Sequence, residues 1–211
     1  MYMPKDYIVW DLETTGLDPK TDKILEIGVM RFMDGLLMEQ ESWILNHQIQ
    51  VPAHITEITG ITQEMCDKGH HDIAGIMSMF ANFFDNVEAN ITHNGYKFDI
   101  PFLFNAVQPL VQENIFETFK EKVQRGCVDT AVMYKAREMH FEQRWNENFL
   151  AFSKRVMDMK VFGLKYNVAH CCNDLGIDTS KATFHRALGD VYLTNEIYKK
   201  LRDEIRTTGG I

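Results

Sequence analysis

The order in which two hydrophobic periods occur along the chain constrains its fold most. Residues 6–12 (DYIVWDL) are an almost wholly apolar run followed by the turn-forming stretch TTGLDPKTD, which predicts a buried strand. KILEIGVMRFMDG then alternates apolar and polar residues up to a turn at Gly35, and LLMEQESWILNH alternates again. Three strand-like segments joined in sequence predict an antiparallel meander. Beyond them the period changes. ITEITGITQEM reads as short helical turns. DIAGIMSMFANFFDN places Ile73, Ile76, Met77, Phe80, Phe83 and Phe84 on one helical stripe, which is core.

The remaining segments alternate strand and helix. VEANITHN reads as a fourth strand, with a helix from Pro101 through Val107, and GCVDT as a short fifth strand leading into AVMYKAREMHFEQRW. LKYNVAHCCNDLG predicts a helix stopped by Gly176. ALGDVYLTNEIYKKLRDEI predicts a long final amphipathic helix, and the tail TTGGI is expected to fray. A meander followed by alternating strands and helices predicts an α/β domain with a mixed sheet, one domain over residues 1–211. The charged, Met- and aromatic-rich stretch 137–162 fits none of these segments and reads as an insertion.

Charge narrows the range of partners less than its total implies. The net charge is −8, and all of it lies in residues 1–72, which carry 5 basic and 13 acidic residues. The rest of the chain is balanced, with a basic stretch from Lys120 to Lys165. An acidic protein can still hold phosphates if bound cations neutralise them. Cys66, Cys127, Cys171 and Cys172 match no zinc-ribbon or zinc-finger spacing, so buried, reduced structural thiols are expected. The N-terminus lacks the pattern of a signal peptide and no apolar run is long enough to span a membrane, so no membrane partner is expected and the default location is cytoplasmic.

Five residues carry the chemistry. Asp11 and Glu13 are two apart near the end of the first strand, so both side chains share one face while Trp10 and Leu12 take the other. Like charges so placed are costly unless a cation lies between them. Thr14, Thr15 and Gly16 follow at once, and the glycine allows close backbone approach to a ligand. Asp99 follows the fourth strand just before a helix expected to start at Pro101, a junction where ligands gather in open α/β sheets. In HRALGD, His185 and Asp190 lie five apart and cannot converge on one continuous helix. They converge if His185 is on the preceding loop, exposed as a general base requires, and Asp190 is in the first turns. Each residue alone also fits a plain surface or capping role.

Taken together, DLETTGLDP, THNGYKFDIPFL and HRALGD resemble the three motifs of the DnaQ-like (DEDDh) 3′→5′ exonuclease family, with GIT-x-EM at Gly60–Met65 and VDT at Val128–Thr130 as lesser likenesses. The resemblance implies a ribonuclease-H-like fold with a five-stranded mixed sheet flanked by helices. It implies that Asp11, Glu13, Asp99 and Asp190 hold two Mg²⁺ or Mn²⁺ ions with His185 as general base. It also implies that Thr14, Thr15, Gly16 and Leu17 contact the terminal nucleotide and that Asn94 and Phe98 line its pocket. The expected substrate is the single-stranded or frayed 3′ end of DNA, or of RNA if the enzyme is an RNA-trimming or oligoribonuclease type. A polymerase is a further candidate partner, although the short stretch after the last helix offers no long docking tail of the kind a proofreading subunit uses.

Overall fold

The structure, a computed structural model, describes residues 4–207. The meander is present as β1 (Tyr7–Thr14), β2 (Ile24–Met33) and β3 (Leu36–Ile44), all antiparallel. Short helices α1 (Ala53–Thr59) and α2 (Gln63–Asp67) precede α3 (Ile73–Asn82) and β4 (Ala89–Thr92). Then come α4 (Asp99–Val107), α5 (Glu113–Gly126), β5 (Cys127–Asp129), α6 (Thr130–Glu138), α7 (Phe149–Asp158), α8 (Val168–Asp174) and α9 (Ala187–Thr207). The sheet order is β3-β2-β1-β4-β5, with β4 parallel to both β1 and β5. This is the five-stranded mixed sheet expected of a ribonuclease-H-like fold.

Period-two alternation on β1 divides the core in two. Ile8, Trp10 and Leu12 pack on one face with Phe80 and Phe84 from the α3 side and Phe102 and Leu103 of α4. Tyr7 and Val9 pack on the other with Tyr134 of α6, Cys171 and Cys172 of α8, and Val191, Ile197 and Tyr198 of α9. Asp11 and Glu13 continue the Tyr7–Val9 series, so the strand directs its two acids toward α9. All four cysteines are buried and unpaired, as their spacing predicts.

Several boundaries differ from expectation. β1 extends to Thr14, which places Asp11 and Glu13 within the ladder, opposite Gly28 and Glu26. α4 begins at Asp99 rather than Pro101. Proline fits at its third position because first-turn amides have no partner within the helix. α5 lies in a stretch to which the sequence pattern assigned no element; Phe116 and Val123, seven apart, are its buried positions. Residues 137–162 are ordered around α7, whose Phe152 and Val156 pack on Val132 and Ala136 of α6. The expected frayed tail falls mainly on residues 208–211, outside the described residues. No helix among the described residues is long and apolar enough to cross a membrane.

Candidate functional site

Three distant segments meet at the C-terminal end of β1. Asp11 and Glu13 come from β1 itself, and Asp190 comes from the first turn of α9. Each offers a carboxylate oxygen, and these oxygens all lie within 4.8 Å of one another. Asp99, in the first turn of α4, is 2% exposed and accepts a hydrogen bond from the Leu12 amide at 3.1 Å. That bond ties it to the strand beside Asp11, but its oxygens are outside the three-carboxylate group.

The electrostatics of the cluster are unfavourable without a counter-ion. Burial raises the Asp11 carboxyl well above the usual carboxylate range, and the charges of Asp99, Asp190 and Glu13 raise it further. Burial, with the charges of Asp190, Glu26 and Asp99, pushes Glu13 up to about 8. Asp99 is pushed up to about 7 by burial against the lowering effect of its backbone hydrogen bonds, with Asp129 and Asp190 adding repulsion. Burial also raises Asp190, partly offset by the His185 amide. None of these four acids forms a salt bridge among the described residues. Hard oxygen donors set against one another by burial and mutual repulsion are what a site for a divalent cation provides.

His185 is exposed, on the loop just before α9, with a left-handed backbone (φ 59°). Its amide donates to Asp190 Oδ2 at 2.9 Å, so main chain rather than imidazole joins the two ends of HRALGD. The His185 side chain is exposed, and its charge is close enough to Asp190 to lower that carboxyl.

The loop is anchored by two residues that the motif reading did not single out. Glu26 on β2 is 1% exposed and sits across the ladder from Glu13. Arg186 clamps it through two parallel bonds, Nε to Oε2 at 3.0 Å and a terminal nitrogen to Oε1 at 2.9 Å. The Ala187 amide and the Ser42 hydroxyl also donate to Glu26. Burial would raise Glu26, but Arg186, Ser42 and the Ala187 amide outweigh it and hold the carboxyl below its ordinary value. Gly28 completes the fit: a Cβ there would lie 2.6 Å from the Ala187 carbonyl carbon, so any side chain would lift α9 off the sheet. The available signal was the arginine inside HRALGD; Glu26 itself stands in sequence as one acid of an alternating strand.

Asp129 plays the same part for the loop before Asp99. It is fully buried and accepts the Asn94, Tyr96 and Ala131 amides at 2.8, 3.3 and 2.9 Å. Asn94 thereby holds a left-handed conformation, with φ 61°. Asn94 and Phe98 are half-buried along this loop, next to Asp99. The Thr14 hydroxyl donates to the Gly16 carbonyl, and the Thr15 hydroxyl bonds Asp22 and the Lys23 amide. Gly16 is close-packed for an internal reason: a Cβ would meet Asp22 Oδ2 at 2.4 Å. Leu17 is 83% exposed at the edge of this turn.

The model of the family described as Exonuclease matches residues 8–198. The DNA polymerase III PolC-type protein of Thermotoga maritima is 34% identical over 203 residues, covering 96% of this chain and 12% of that protein. Its counterpart in Clostridium perfringens is 29% identical over 204 residues, covering 95% of this chain and again 12% of the relative. The chain thus spans about one eighth of the length of these relatives. Escherichia coli exonuclease I, in complex with a dT13 oligonucleotide, superposes with a TM-score of 0.72 at 19% identity, covering 97% of this chain and 42% of that one.

Proposed function

Because the chain belongs to the exonuclease family, we propose that it is a metal-dependent 3′→5′ exonuclease that releases nucleoside 5′-monophosphates from a single-stranded or frayed 3′ end. Residues 1–211 act as one exonuclease domain. The observation that carries this reading is the convergence of Asp11, Glu13 and Asp190 within 4.8 Å, with Asp99 and His185 held beside them.

Asp11, Glu13, Asp99 and Asp190 would hold the metal. Two Mg²⁺ or Mn²⁺ ions held by these carboxylates would supply an activated water and neutralise charge at the leaving oxygen. His185 takes the proton of the attacking water, and its position outside the ligand set leaves the ring free to pass that proton to solvent. The bond between phosphorus and the 3′-oxygen of the preceding nucleotide breaks, so the phosphate leaves on the terminal nucleoside. Leu17, with the backbone of Thr14, Thr15 and Gly16, meets the terminal nucleotide, and Asn94 and Phe98 line its other side.

DNA is the favoured substrate because the matching relatives are named as DNA polymerases and the structural neighbour was solved with oligo-dT. The polymerase relatives also favour a second reading, in which this activity proofreads a polymerase in replication. Time courses with 5′-labelled and 3′-labelled DNA and RNA, with Mg²⁺, Mn²⁺ or EDTA, test both the polarity and the sugar. Metal-dependent shortening of the 5′-labelled strand one nucleotide at a time is expected. Internal cutting, shortening from the 5′ end or full activity in EDTA would refute the proposal.

A further inference from the structure

Beside the loop that carries Asn94 and Phe98 lies an open groove of about 560 Å³. Its wall includes Lys97, Lys135, Asp158, Lys160, Phe162 and Tyr166, three cations against one acid. The groove is fixed to the candidate active site at two points. Lys97, two residues before Asp99, donates to the Met157 carbonyl at 3.1 Å, and His93 Nε2–H donates to the Tyr166 carbonyl at 2.6 Å. Lys135 is 4% exposed, lies 5.2 Å over the Tyr166 ring and donates to the Met157 and Met159 carbonyls. Its charge is therefore built into the groove floor.

Phe162 stands at the rim, fully exposed at 106%, with no ring partner among the described residues. Every other phenylalanine whose side chain is described is buried or half-buried, so this ring is the exception. A positive groove with a free aromatic face fits an unpaired nucleic-acid strand: cations follow the phosphates and a base stacks on the ring. The acidic carboxylate site and this groove divide the electrostatic work, the first through bound cations and the second through lysines.

We propose that this groove holds the unpaired strand upstream of the 3′ end, with Phe162 as a stacking platform and Lys160 and Lys97 as phosphate contacts. The proposal rests on the exonuclease reading for the direction of the strand and on the groove itself for binding. It gives residues 157–162, the end of the stretch that reads as an insertion, a role in substrate grip.

The test compares the full chain with Phe162→Ala and Lys160→Ala. Fluorescence anisotropy in EDTA measures binding of labelled dT and rU oligonucleotides and of a blunt duplex. Steady-state rates are measured in Mn²⁺ on a dT oligonucleotide and on the 4-nitrophenyl ester of thymidine 5′-monophosphate, which has no upstream strand. Phe162→Ala should weaken oligonucleotide binding roughly 5- to 150-fold, the range expected for loss of one stacked base. It should raise KM on the oligonucleotide while kcat and the ester rate stay unchanged. Lys160→Ala should lower the slope of log affinity against log salt by about 0.7. Weakening in either sugar arm supports the groove and identifies the strand it prefers. Unchanged oligonucleotide binding in both arms, or equal weakening on blunt duplex, overturns it. A wild-type chain that binds in the groove but cleaves neither substrate would refute the exonuclease reading and leave the groove standing.

Discussion

Replacing Glu13 with glutamine tests whether the carboxylate cluster is strained without its cations. Glu13 titrates near 8 in the fold against an ordinary value of 4.5. Between those values the folded chain keeps a proton that the unfolded chain has released. Stability at this site therefore falls as pH rises through that window, and the penalty is complete above pH 8. Each unit is worth about 1.4 kcal/mol, giving a ceiling of roughly 5 kcal/mol. Partial exposure and sharing of the repulsion among four acids reduce this to about 2–3 kcal/mol. Glu13→Gln removes the penalty, so the metal-free variant should melt roughly 5–10 °C above wild type at pH 8. At pH 5 the two should differ by about 2 °C or less, because folded wild-type Glu13 is then protonated and the pH has passed the unfolded value by only about half a unit, so little of the penalty is present. Mn²⁺ at millimolar concentration should raise the wild-type melting temperature at pH 8 and raise the variant's much less. Thermal melts in EDTA and in Mn²⁺ at both pH values provide the measurement. A variant less stable than wild type at pH 8 in EDTA, or an equal gain at both pH values, would refute the electrostatic account.

Three further outcomes are expected. His185→Ala should lower kcat about 10²–10⁴-fold while keeping the Mn²⁺-induced rise in melting temperature; a lost rise would mean His185 belongs to the metal site. Arg186→Met should cost about 2–4 kcal/mol by leaving Glu26 buried and uncompensated, and adding Glu26→Gln should recover part of that loss in denaturant melts. If the double variant is no more stable than Arg186→Met alone, the clamp is not the source of the cost. Asp129→Ala should destabilise the chain by about 2–3 kcal/mol, since the Asn94, Tyr96 and Ala131 amides lose their acceptor, and should lower kcat by loosening the segment that delivers Asp99. Unchanged kcat would detach Asp129 from the positioning of Asp99.

What the sequence makes legible is whatever a local period encodes. The shared face of Asp11 and Glu13 follows from period two, and the separation of His185 from Asp190 follows from helical geometry; the structure has both. The start of α4 was misplaced by two residues because proline marks a first turn without fixing which of its positions it occupies. α5 escaped because its apolar positions are sparse in a strongly charged segment and only the packing on the sheet selects them. Glu26 escaped for a different reason. In sequence it is one more acid in an alternating strand, and its meaning depends on Arg186, 160 residues away, which no local pattern pairs with it.

That long-range pair also sharpens the case for cations in the site. Five acids crowd the C-terminal end of β1, and the fold neutralises only one with a side chain of its own. Glu26 receives a bidentate arginine, a hydroxyl and an amide, and its carboxyl is held below its ordinary value. Asp99 and Asp190 each accept one backbone amide, but none of Asp11, Glu13, Asp99 and Asp190 forms a salt bridge among the described residues, and each is raised. If burial of acids here were incidental, compensation should be spread over all five. Confinement of the cationic side chain to Glu26, the one whose partner also fixes the His185 loop, separates the structural acid from the four left available to a ligand. Those four can be ionised together at neutral pH only when something positive enters from outside the chain.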